Sequence, residues 1–193
     1  TRDFSQTPFY FKEGSLCLKS GSSYKNDLIN ENNSTVSYES SNEEVAEVDN
    51  SGNVTAKKSG TATITATSVM EGSTPVYASF AITVKKELKK DDFEITVKDK
   101  TYDKTVLAEA FAVLKNPEDS GDVLKAEINA VFKDAGAGEN KAADYEITGI
   151  SGKDADKYIL SDNAEDLMGT AYASIKKAPV TVMCAKTTTR VFD

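Results

Sequence analysis

The chain has 193 residues, with 23 basic and 31 acidic side chains, a formal net charge of −8, no histidine and no tryptophan. Without histidine, Ser-His-Asp and Cys-His nucleophile activation, histidine general bases and histidine metal ligands are excluded. Cys17 and Cys184 form no C-x-x-C pair, which argues against structural zinc, and the acidic, arginine-poor composition argues against nucleic acid as a partner. No apolar run is long enough to cross a membrane, so we expect no membrane insertion.

The charge is distributed unevenly along the chain. Residues 1–90 carry 10 basic and 11 acidic groups, whereas residues 91–193 carry 13 basic and 20 acidic groups. Since the length fits either one large domain or two small ones, this asymmetry indicates two units.

Strict alternation marks the clearest predicted strand, Thr61–Thr67. A period of two places Ala62, Ile64 and Ala66 on one face and the threonines on the other, as in a half-buried strand.

Further strands flank this segment. Residues 45–48 are a predicted strand followed by a tight turn at 49–53, in which Gly52 supplies a positive φ. Residues 78–84 place Phe80, Ile82 and Val84 on one face. Short strands at about ten-residue spacing with turn residues between them predict a β-sandwich.

A charged run at 85–92, with seven charged residues out of eight, is interpreted as a solvated linker between the two units. A new strand is predicted directly after it at 93–97. The linker sets the predicted domain boundary at residue 86.

Residues 104–115 fit two structures. Alanine, leucine and glutamate favour a helix, and Leu107, Phe111 and Leu114 have helical spacing. Leu107, Phe111 and Val113 also share one face of a strand, so a short helix and a strand both remain open.

The remaining predicted strands of the second unit lie within residues 122–132, 145–150, 158–160 and 170–175. Ile95-Thr-Val97, followed by Tyr102-Asp103, recurs as Val180-Thr-Val182 followed by Phe192-Asp193, and the two aromatic-Asp pairs are 90 residues apart. This spacing predicts that residues 179–193 begin a further repeat.

Residues Val36 to Ala66 contain Ser40-Ser-Asn, Val45-Ala-Glu-Val48, Gly52-Asn-Val-Thr-Ala56 and Gly60-Thr-Ala-Thr-Ile-Thr-Ala66. In this order they resemble the bacterial Ig-like domain of group 2, over residues 10–86 of the chain.

Residues 93–178 resemble the YDG-type repeats of bacterial surface proteins. The resemblance is carried by Lys100-Thr-Tyr-Asp103, by Ala130-Val-Phe-Lys-Asp134, by residues 150–160 and by residues 175–182. Lys104 stands where the family has glycine, so we predict that this turn does not need a positive φ.

Together the resemblances imply an all-β protein of tandem Ig-like β-sandwich domains: 1–86, 87–178 and the start of a further repeat at 179–193. They imply an extracellular or cell-surface bacterial protein, an elongated monomeric array that acts as an adhesin stalk or spacer and offers an adhesion surface. The expected partner is a host or matrix protein or a glycan. No catalytic residue and no cofactor is implied, so we expect no enzyme activity. The alternative is a carbohydrate-binding or accessory module of a larger secreted enzyme.

Two groups of side chains are candidate sites. Asp119, Asp122, Asp154 and Asp156 lie in acidic loops and are candidate calcium ligands, because calcium prefers carboxylate oxygens. Asp49, Ser51 and Asn53 alternate oxygen-bearing side chains as the start of a calcium loop does. This segment is interpreted as a hairpin turn instead, since the twelfth position of such a loop would be Gly60, where a bidentate glutamate is needed.

The other group comprises Tyr102, Tyr145 and Tyr158, beside predicted turns and strand ends. There a phenol can pack its ring and hydrogen-bond a neighbouring loop, or it can stack on a glycan.

Overall fold

The computed structural model describes residues 7–31, 33–70 and 73–181. Within these ranges the regular structure is β-strand with three short 3-10 helices, and no α-helix occurs there. The same residues contain no helix that is long and apolar enough to cross a membrane. The predicted all-β class is confirmed.

Nine strands form the first unit. They are β1 (Phe9–Phe11), β2 (Ser15–Lys19), β3 (Ser23–Lys25), β4 (Leu28–Asn30), β5 (Val36–Ser40), β6 (Ala46–Val48), β7 (Asn53–Ala56), β8 (Gly60–Ser68) and β9 (Val76–Leu88). Strands β5, β8 and β9 form an antiparallel sheet to which β2 adds in parallel with β9. Two smaller sheets, β3–β7–β6 and β1–β4, complete the unit.

The core of the first unit lies where the alternation predicts it. Ala62, Ile64 and Ala66 of β8 are buried, and Phe80 and Ile82 of β9 pack in the same cluster. Burial of each large apolar side chain stabilises the fold by roughly 1.5–3 kcal/mol. The threonines of β8 lie on the opposite face, as expected for a period of two.

The turn between β6 and β7 confirms the hairpin interpretation of residues 49–53. The Asp49 Oδ1 atom accepts the backbone N–H of Ser51 at 2.8 Å and that of Asn53 at 2.9 Å. Gly52 has a φ of +81°. The carboxylate therefore holds the turn itself.

Eight strands form the second unit. They are β10 (Phe93–Val97), β11 (Lys100–Thr101), β12 (Leu107–Ala108), β13 (Ala110–Leu114), β14 (Lys125–Phe132), β15 (Gly138–Ser151), β16 (Tyr158–Leu160) and β17 (Met168–Lys176). Strand order β11–β17–β15–β14–β12 gives a five-stranded sheet, and β10 pairs with β13 in a second sheet. Residues 182–193, which hold most of the predicted further repeat, lie outside the described residues.

Residues 104–115 contain strands, so the helix alternative is wrong. Strand β13 pairs with β10 from Phe93↔Leu114 to Val97↔Ala110, and this pairing outweighs the helix propensity of alanine and leucine. Phe111 and Val113 do share one face, but that face is exposed, while the intervening alanines face the core.

The turn after Tyr102 also differs from the prediction. Lys104 has a φ of +70°, so the turn keeps the left-handed conformation although the residue carries a β-carbon. The Lys100 Nζ atom stabilises this turn: it donates to Asp103 Oδ1 at 2.8 Å and to the Leu107 carbonyl at 2.8 Å. The hydrogen bonds of Lys100 therefore stabilise a turn in which Lys104 has a backbone conformation that glycine adopts freely.

Candidate functional site

The charged segment 85–92 is the joint between the two units, and its interpretation as a solvated linker is wrong. Strand β9 continues to Leu88, and a 3-10 helix follows at Lys90–Asp92. Leu88 has no exposed surface and packs with Phe93, Ile147 and Tyr158 in the core of the second unit. A single apolar side chain thus inserts into that core from a strand of the first unit.

Strand pairing also crosses the joint. Residues Ala81–Lys85 of β9 pair in parallel with β2 of the first unit, and the next residues, Lys86–Leu88, pair in parallel with β16 of the second unit. One continuous strand is therefore hydrogen-bonded to both units, which restrains their relative rotation.

Polar contacts surround this shared strand. The Lys58 Nζ atom lies 2.8 Å from Asp119 Oδ1, and the neighbouring Ser59 N–H donates to Glu118 Oε1 at 2.8 Å. On another side, the Lys19 Nζ atom lies 2.7 Å from Asp162 Oδ2. In these ion pairs the first unit, which is nearly neutral overall, supplies the lysine and the acidic second unit supplies the carboxylate.

Asp122 fixes the loop that carries two of these carboxylates. Its side chain is 2% exposed, and its Oδ2 atom accepts the Tyr158 hydroxyl at 2.5 Å. That hydroxyl accepts the Glu118 N–H at 2.8 Å, and the Lys157 Nζ atom lies 2.5 Å from Asp122 Oδ1. The loop at 117–122 is thereby held against β16 with Glu118 and Asp119 directed at the first unit.

The electrostatics of this network follow from its geometry. Burial alone raises the pKa of Asp122, but hydrogen bonds from Lys157, Tyr158 and the Asp119 N–H outweigh burial and lower the pKa to about 2. Burial and the hydrogen bond to Asp122 raise the pKa of Tyr158 to about 12. Asp122 therefore stays ionised and Tyr158 stays protonated at neutral pH.

Three of the four candidate calcium ligands meet at one lysine. The Lys157 Nζ atom lies 2.5 Å from Asp122, 3.0 Å from Asp119 and 3.6 Å from Asp154, while Asp156 is exposed. The ammonium group thus occupies the place between the carboxylates. Among the described residues no group of three or more histidine, cysteine, aspartate or glutamate side chains is placed to hold a metal. Calcium binding stays a prediction.

The three candidate ligand-stacking tyrosines have different environments. Tyr158 is buried and Tyr145 is half-buried, so Tyr102 alone of the three is exposed. They do not form one exposed platform. The hydroxyl of Tyr158 instead has the hydrogen-bonding role described above.

Sequence reasoning missed Lys58, Lys157 and Leu88. The available signal was the segment Asp154-Ala-Asp-Lys157-Tyr158, which belongs to the YDG-like pattern. The loop that it contacts, residues 117–122, lies more than 30 residues away in the chain. Nothing in a single sequence links the two.

The fold and the joint define a protein of tandem Ig-like β-sandwich units. Residues 15–78 match the family described as Bacterial Ig-like domain (group 2), and residues 85–165 match the YDG domain family. Both are domains of bacterial surface or secreted proteins. The second match begins inside β9, which agrees with the strand being shared. The comparison with curated proteins gives no match.

Several solved structures are similar to the chain. A protocadherin gammaB7 EC3-6 cis-dimer structure shares 12% identity, with 90% of this chain and 48% of that chain covered and a TM-score of 0.42. The surface layer protein SbsC, domains 4-9, shares 16% identity, covering 88% and 31%, with a TM-score of 0.30. A bacterial Ig-like domain containing GH10 xylanase from termite gut shares 21% identity, covering 46% and 24%, with a TM-score of 0.28. The chain spans about half, or less, of the length of each of these chains.

Proposed function

We propose that the two units act as a non-catalytic spacer in a bacterial surface or secreted protein, an adhesin stalk whose units also offer an adhesion surface. The observation that carries the proposal is the shared strand β9, which pairs with β2 in one unit and with β16 in the other. A spacer must transmit position from one end to the other, and a strand common to two units does so without a flexible hinge.

The ion pairs around the strand support this function. Lys58–Asp119 and Lys19–Asp162 join side chains that are far apart in the sequence, and Leu88 inserts into the second core. Each exposed ion pair adds only about 0.2–1 kcal/mol, so the buried leucine and the strand pairing supply most of the rigidity.

Small-angle X-ray scattering and ¹⁵N relaxation of the full chain test the proposal. We expect one elongated particle in which both units share a single rotational correlation time. The variant Lys58→Ala/Asp119→Ala/Leu88→Ala is expected to give the units separate correlation times. The matched control is Lys12→Ala/Asp27→Ala/Leu28→Ala, which removes an exposed 2.7 Å ion pair and an apolar side chain of the first unit that lies on neither β2 nor β9.

Independent tumbling of the two units in the unaltered chain would contradict a rigid spacer. So would a compact particle with a cleft between the units, since that shape suits an enzyme. A screen of the intact chain for hydrolase activity tests the non-catalytic part of the proposal, and turnover of any substrate would overturn it.

A further inference from the structure

The second unit has an open depression on the solvent-facing side of its five-stranded sheet. It encloses about 610 Å³ and crosses the three neighbouring strands β14, β15 and β17. Register places Val131 beside Asp144, Asp144 beside Thr170, and Glu146 beside Met168. Because alternate residues of a strand face the same way, these side chains all point outward from the sheet.

The floor of the depression is apolar at two places. Val131 and Met168 are each 42% exposed, although large apolar side chains favour burial. They lie on opposite sides of the central strand β15, which contributes the two carboxylates between them. The depression therefore combines apolar contact surface with negative charge in its middle.

The carboxylates differ in how far they are already paired. Asp144 accepts the Thr170 hydroxyl at 2.6 Å and lies 3.5 Å from the Lys133 ammonium. Within the described residues the side chains of Glu146 and Glu165, both exposed, have neither an ion pair nor a hydrogen bond, although the Lys90 ammonium binds the backbone carbonyl of Glu165. Two negative charges are thus available to a ligand.

We propose that this depression binds lysine or arginine side chains of another protein. These side chains have a long aliphatic stem and a cationic head. The stem fits against Val131 and Met168, while the head reaches Glu146 or Glu165 and forms a charge-assisted hydrogen bond. An aliphatic ligand would leave the carboxylates unpaired, and an anionic one would be repelled.

The proposal adds a partner class to the adhesion surface and rests on the proposed function only in that the unit is displayed to other proteins. The spacer test measures shape and this one measures binding, so one can fail without the other.

A basic segment is also the complement of the second half of the chain, in which acidic groups outnumber basic ones by 20 to 13 over residues 91–193.

The test is an NMR titration of the full chain with a six-residue peptide that alternates lysine and valine, at low salt. We expect chemical-shift changes centred on the Met168 methyl group and the amides of Glu146 and Thr170. Glu146→Gln/Glu165→Gln is expected to weaken the affinity by about tenfold, since it removes both free carboxylates. Met168→Gln is expected to weaken it by about threefold through loss of apolar contact.

The matched control is Glu31→Gln/Glu43→Gln, which changes the net charge equally with two exposed carboxylates of the first unit. We expect its affinity to stay within about twofold, as long-range attraction alone is weak across a Debye length. Four outcomes would each overturn the proposal. They are an equal loss of affinity in the control, equal binding of a glutamate–valine peptide, chemical-shift changes centred elsewhere in the chain, and no binding of the lysine–valine peptide. An unchanged amide spectrum of each free variant verifies that it is folded.

Discussion

Lys104 occupies a backbone conformation that L-residues avoid. Its φ of +70° costs roughly 1–2 kcal/mol, because the β-carbon approaches the following carbonyl oxygen. The Lys100 ammonium, bonded to Asp103 and to the carbonyls of Thr105 and Leu107, holds the turn in place. In this chain the turn therefore needs a left-handed residue, and lysine takes that conformation at Lys104.

Replacing this lysine by glycine is expected to stabilise the protein. Lys104→Gly removes the β-carbon strain but adds chain entropy to the unfolded state, so we expect a net gain of about 0.5–1 kcal/mol in unfolding free energy. Urea denaturation measures it. Lys104→Ala keeps the β-carbon and should show no gain; an equal gain would mean that the side chain, not the backbone, is the cause.

A second residue-scale prediction concerns Gly169 of β17. A β-carbon there would lie 2.5 Å from the Tyr145 hydroxyl oxygen, which is closer than two such atoms can approach. Gly169→Ala should therefore lower the unfolding free energy by about 1–3 kcal/mol. Gly121→Ala is the control, because a β-carbon at Gly121 meets nothing within 4 Å. Equal effects of the two substitutions in thermal denaturation would refute the steric argument.

At the scale of elements, the loop at 117–122 depends on ionised Asp122. Its pKa in the folded protein is about 2, below the ordinary 3.8. A lowered pKa means that the folded state binds fewer protons, so its stabilising effect is complete above pH 3.8 and is lost as the pH falls towards 2.

The unfolding free energy of the unaltered chain should therefore decline across that window. Asp122→Asn should lower stability at pH 7 by about 2 kcal/mol, since Lys157 loses a buried anionic partner, and should flatten the decline. Guanidinium titrations at several pH values measure both effects. Asp156→Asn, at an exposed position, serves as control, and a slope that Asp122→Asn leaves unchanged would argue against this role.

Elements with a clean alternating pattern could be predicted from sequence, and β8 is the example. Two elements could not. In β9 the charged residues after Val84 indicate an exposed segment, yet Leu88 is buried because the second unit packs against it. In β13 the local helix propensity is overridden by pairing with β10. The joint itself depends on contacts such as Lys58–Asp119, 61 residues apart, which no local pattern encodes.

For the whole molecule, the shared strand predicts that a destabilising substitution at the joint lowers the local stability of both units. Leu88→Ala removes a fully buried side chain and should cost about 2–5 kcal/mol. We expect faster amide hydrogen exchange in the second unit and also in β2, which pairs with β9 just before the joint. Leu124→Ala, a truncation at the edge of the same core, should speed exchange in the second unit alone. Unchanged exchange in β2 after Leu88→Ala would show that the units are uncoupled.

The parallel pairing of β2 with β9 has a consequence under load. Five residue pairs, from Ser15↔Ala81 to Lys19↔Lys85, join β2, near the N-terminal end of the first unit, to β9, the strand that continues into the second unit. Tension that pulls β2 and β9 towards opposite ends acts along the strands, so it loads these hydrogen bonds together in shear rather than peeling them apart one at a time. The parallel pairing of β2 with β9 is therefore arranged to resist a force that pulls the two strands apart along their length.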